Sequence, residues 1–134
     1  MWIYAQKTGA LLRHGQLAGH GYSGLDNGKN NPAMQALHDI GPIPQGTWTI
    51  LGPPLNSTEH GPYVLRLQAA PDTCTFQRSG FLMHGDSIRA PGTASKGCIV
   101  LPHAVREFVW NSGDTELEVV AEFAPQDLGQ PESA

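Results

Sequence analysis

Apolar residues along this chain come in short bursts separated by Gly, Pro, Asn and Asp, not in long periodic runs. Residues 46–51 show the pattern most cleanly: Thr47 and Thr49 alternate with Trp48 and Ile50, the period of two expected of a half-buried strand. Residues 63–67 and 81–84 repeat it less regularly, and 2–4, 10–13, 17–22, 99–101 and 117–123 complete the predicted strands. Two stretches have helical character. Residues 32–38 begin with Pro32, which suits a first helical turn, and end near Gly41. Residues 103–110 follow Pro102 and place Ala104 with Phe108, and Val105 with Val109, at helical spacing. The predicted fold is mostly β, a sandwich or barrel with one or two short helices. It forms one domain over residues 1–124, and the polar stretch 125–134 is expected to be a disordered tail.

Composition sharpens this picture. Sixteen glycines and eleven prolines in 134 residues, with no internal repeat, call for many turns and short strands. Hydrophobic residues at 40% and charged residues at 15% suit a globular domain. A net charge of -4 leaves no basic stripe to neutralise phosphates, which excludes nucleic acid as the main partner. No apolar run approaches the ~20 residues needed for a membrane span. Met1–Lys7 carries neither a basic n-region nor a sustained apolar core, so no secretory signal is expected. Two cysteines, Cys74 and Cys98, do not make a disulfide framework, and a free functional thiol is the expected state of at least one.

The chemistry concentrates between Arg78 and Pro102. Cys98 follows Gly97 and opens a β-branched segment, so its sulfur is expected at a loop-to-strand junction. A glycine before a nucleophile lets backbone amides approach a carbonyl without side-chain obstruction. The amides of Lys96, Gly97 and Cys98 are therefore candidate oxyanion donors. A free thiol with a pKa of ~8.5 is only about 3% ionised at pH 7 and needs a base. His84 closes an apolar strand just before Gly85. Its strand end and that of Cys98, joined by a Gly/Pro loop, can lie side by side. His14, His20, His38 and His60 read as surface polar residues, and His103 as a helix-start residue. No HxxxH-like or CxxC pair suggests zinc, and no cofactor is expected.

The order His84-Gly85-Asp86, then Ser95-Lys96-Gly97-Cys98-Ile99, resembles the signature of the L,D-transpeptidase (YkuD-like) catalytic domain. Gly21-Tyr22-Ser23-Gly24, Asn30-Asn31-Pro32 and the run from Gly41 to Trp48 resemble a narrower branch, the L,D-transpeptidase-like toxins of type VI secretion. The resemblance spans residues 2 to 123 and implies an L,D-transpeptidase-like β-sandwich or barrel. Cys98 would be the nucleophile and His84 the base. Gly97, Lys96 and Ser95 would supply oxyanion or supporting contacts, and Arg78, Asp86 and Gly85 would meet substrate. Ser95 could equally cap a turn, Asp86 fix its own loop, and Arg78 pin the site. The resemblance further implies peptidoglycan stem peptides and D-amino acids as substrates, a cognate immunity protein, and a secretion-spike carrier. The protein would be made in the cytoplasm and act in the periplasm of a target bacterium. Two departures stand out: Lys96 occupies the usual position of a second histidine, and Val100 follows Ile99 where Arg or Asn is common. The competing readings are an NlpC/P60-type peptidase built on Cys74 with His103, and a non-catalytic wall-binding module.

Overall fold

The computed structural model describes residues 1–129. Among them are nine strands: β1 (Trp2–Ala5), β2 (Ala10–Arg13), β3 (Gln16–His20), β4 (Tyr22–Ser23), β5 (Gly46–Ser57), β6 (Gly61–Ala69), β7 (Leu82–His84), β8 (Ile99–Val100) and β9 (Glu116–Val120). One α-helix, α1 (His103–Asn111), joins them. The mostly-β expectation holds, with every strand predicted from sequence present. The strands form one mixed sheet in the order β3-β2-β1-β9-β5-β6-β7-β8-β4.

The stretch predicted as one strand, 17–22, divides at Gly21. Its first part pairs with β2 and its second with β8, at opposite ends of the strand order. The two ends of the sheet are therefore a single length of chain, and the sheet curls until they meet. Gly21 permits this: a Cβ there would lie 1.7 Å from the Val100 carbonyl oxygen, a collision only glycine avoids.

Burial follows the pattern in the sequence. Trp48 and Ile50 of β5 point inward while Thr47 and Thr49 face out. Trp2, Tyr4, Leu11, Leu65, Met83, Ile99 and Leu117 share their core, each buried apolar side chain contributing about 1.5–3 kcal/mol. Trp48 meets Phe81 edge-on, ring centres 5.0 Å apart, and its indole donates to the Pro44 carbonyl. Helix α1 turns Val109 and Arg106 inward. Arg106 is buried because its guanidinium donates to the carbonyls of Tyr63, Pro62 and Leu101, tying the helix to β6 and to the segment after β8.

Two expected elements differ. The predicted helix over 32–38 is only a 3-10 turn, Pro32–Met34, capped by the Asn31 side chain. It does not propagate because the Gln35 carbonyl is taken by Arg78, and Asp39 adopts a positive φ of 62°. The predicted tail begins with structure: Pro125–Leu128 form a 3-10 turn in which Asp127 accepts from the Ala124 amide. Residues 130–134 of that tail lie outside the described residues.

Candidate active site

Strands β7 and β8 run parallel, with Met83 opposite Ile99 and His84 opposite Val100. That register places Cys98 opposite Leu82, one residue before β8 begins. Alternation then puts Met83 and Ile99 in the core and Leu82, His84, Cys98 and Val100 on the other face. Cys98 and His84 are diagonal neighbours on adjacent strands, about 8 Å apart along the backbone from standard strand spacing and rise. Both line one cavity of about 400 Å³, with Gly80, Phe81, His60 and Lys96 among its other walls.

The thiol is half-buried. Its sulfur accepts from the Leu82 amide at 3.3 Å, and the S–H lies 3.7 Å from the Gly80 carbonyl it can donate to. Burial pushes the Cys98 thiol up to about 11, against the opposing pull of the Leu82 amide and the Arg78 charge. The resting sulfur is thus a neutral thiol held by backbone, the opposite of the depressed thiolate expected from a preformed ion pair.

His84 is 1% exposed. Its Nδ1 lies 2.7 Å from the Gly85 carbonyl. A carbonyl only accepts, so Nδ1 carries the hydrogen and Nε2 keeps its lone pair. That Nε2 is buried with no hydrogen-bond partner among the described residues. Burial lowers the imidazole below its ordinary 6.5. His60 and Arg106 lower it further, while the Gly85 bond and Asp86 act the other way. A neutral imidazole with an open lone pair beside a protonated thiol is what a general base requires.

The model of the Tlde1 domain family matches residues 18–121, a span that contains every residue of this pair and its loop. The chain belongs to the Tlde1 domain family. That places it with type VI secretion effectors related to L,D-transpeptidases. No curated protein and no solved structure matches the chain.

In this Tlde1 domain the other predicted site residues mostly build the loop that carries Cys98. Ser95 is fully buried. Its hydroxyl accepts from the amides of Gly24 and Gly97 and donates to the Cys98 carbonyl at 2.6 Å. The Gly97 amide is therefore engaged by Ser95 in this structure. Gly97 also serves space: its φ is +136°, and a Cβ would lie 2.4 Å from the Arg78 guanidinium. Lys96 is exposed at the cavity wall.

Asp86 caps its own loop. It accepts from the Tyr22 hydroxyl at 2.6 Å and from the amides of Ser87 and Gly92. Burial alone would raise its carboxyl, but these bonds outweigh it and hold it below the usual range. Gly85 lends its carbonyl to His84 and leaves room for Arg106, which a Cβ would approach to 3.2 Å.

Of the two roles open to Arg78, the structure has the pinning one. Its guanidinium donates to the carbonyls of Gln35, Pro42, Gly41 and Lys96. Arg78→Ala should strand four carbonyls and cost on the order of 3 kcal/mol. Urea unfolding measures this. A variant as stable as the parent would contradict the role.

Sequence reasoning missed two groups. His60, taken for a surface residue, stacks on His84 with ring centres 4.3 Å apart and planes at 25°. Arg106 supports the far side of the same imidazole's surroundings. Its signal was available: it lies three residues before inward-facing Val109, on the apolar face of α1. Cys74 is exposed in the β6–β7 connection and opens no helix, so the arrangement an NlpC/P60-type site needs is not present there. His103 instead pairs with Glu107 at 2.6 Å. Among the described residues no His, Cys, Asp and Glu cluster could hold a metal, and no helix is long and apolar enough to cross a membrane.

Proposed function

We propose that this Tlde1 domain is a cysteine acyl transferase acting on peptidoglycan stem peptides. The observation that carries the reading is the Cys98 thiol and the open Nε2 of His84 on one face of adjacent parallel strands, lining one cavity. Substrate seated in that cavity would turn the sulfur from the Gly80 carbonyl toward His84. Nε2 takes the thiol proton as sulfur attacks the carbonyl of the L-centred diamino acid at position three. The C–N bond to D-alanine then breaks, the imidazolium returns the proton to the departing amine, and a thioester remains on Cys98. Water completes an L,D-carboxypeptidase cycle; the amine of a D-amino acid completes an exchange.

A second cavity supports the same reading. It measures about 1300 Å³ and shares His60, His84, Thr93 and Ala94 with the first. Peptide can therefore reach the reacting pair from two sides. Effector membership supports delivery into a rival's periplasm by a secretion spike, with a cognate immunity protein protecting the producer.

Purified muropeptides incubated with the protein, with and without D-methionine, test the proposal by mass spectrometry. Tetrapeptide stems should lose alanine, and D-methionine should appear in exchange product. Intact muropeptides after incubation with folded protein would overturn it.

A further inference from the structure

We propose that His60, at the tip of the β5–β6 hairpin, is a positioning residue for His84: its ring closes over the imidazole, fixing its orientation and keeping water off Nε2. The inference rests on the reading of His84 as the base.

The hairpin is shaped for this task. β5 and β6 pair in regular register from Trp48–Ala69 to Leu51–Arg66, then slip twice before Ser57 meets Gly61. Such irregularities bend a strand pair out of its plane, and here the bent end carries His60 to the cavity that holds Cys98. The tip is locked by Ser57, whose hydroxyl accepts from the amides of both Glu59 and His60 at 3.2 and 3.1 Å. Its return strand is held by Arg106 through the Pro62 and Tyr63 carbonyls. A histidine on an exposed hairpin tip has many places to lie. This one lies ring to ring on a residue that is 1% exposed, and it borders both cavities.

Glu59 stands 3.6 Å from His60 Nε2 on the same tip. Arg106 of α1 lowers the proton affinity of His84 and Asp86 of the β7–β8 loop raises it. Cys98, Lys96 and Asp39 line the thiol cavity. Desolvation is the largest influence on the imidazole and lowers its proton affinity. His60 supplies part of that cover. Removing the ring should admit water and raise the midpoint toward 6.5, whereas another ring of similar size should preserve the cover.

NMR titration of the His84 imidazole in wild type, His60→Ala and His60→Phe reads this directly and needs no turnover. The midpoint in His60→Ala should rise by several tenths of a pH unit or more, and His60→Phe should rise clearly less. The acid limb of kcat/KM should move with it. An unmoved midpoint in His60→Ala, or equal movement in both variants, overturns the inference. Cys98→Ala measured alongside separates the two ideas. Turnover by that variant would remove the nucleophile assignment, while the imidazole titration still judges His60.

Discussion

Cys98→Ala is expected to yield no product from muropeptides while folding normally. In the proposed cycle the sulfur is the atom that forms the thioester, and no neighbouring hydroxyl or thiol lines the same face of β7 and β8 to replace it. Its removal sacrifices one hydrogen bond from the Leu82 amide and a small half-buried volume. The stability cost should stay near 1 kcal/mol, so loss of product could not be blamed on unfolding. Product at the wild-type rate would end the mechanism. The same thiol, pushed up to about 11 by burial, should alkylate slowly with iodoacetamide at neutral pH and faster as pH rises. In the proposed cycle substrate, not the resting site, activates it.

His84→Gln should reduce kcat/KM by about 10²–10⁴, the usual contribution of a positioned base. Glutamine retains much of the shape but has no proton-accepting nitrogen. The pH dependence carries a second signature. A base must be unprotonated, so activity should fall as pH drops through the imidazole midpoint, which burial sets below 6.5. Stability moves in the same direction. Below 6.5 the unfolded chain takes up a proton that folded His84 resists, so stability present at neutral pH is lost as pH falls toward the folded midpoint. Urea midpoints recorded against pH should show this loss in wild type and less of it in His84→Gln. Identical pH slopes would show that His84 is not held neutral.

The strands, and the placement of His84 and Cys98 at strand ends, were legible because their signals are local. Alternation in 46–51 marks β5, and the glycines flanking His84 and Cys98 mark strand ends. What escaped was long-range. Nothing near Ser57, Glu59 or His60 announces that their turn reaches a histidine on another strand. Arg78 carries a formal charge that suits a substrate carboxylate equally well, and only the convergence of four carbonyls from residues 35–42 and 96 decides its use. The partner of the Gly97 amide was hidden for a related reason: it is Ser95, two residues back, a side chain that could equally have faced away. Nor can a motif reveal burial depth, which is what keeps the resting thiol protonated.

The position of β9 has a consequence for the order in which this molecule can assemble. It lies between β1, with which it runs parallel, and β5, with which it runs antiparallel. Until residues 116–120 have left the ribosome, β1 and β5 have no strand between them with which to pair. Pairings of such long sequence separation are slow to form, because the intervening chain must be ordered before any contact rewards it. A producing cell therefore carries a nascent chain whose cysteine and histidine are both already made, but whose sheet cannot close around them until β9 has emerged.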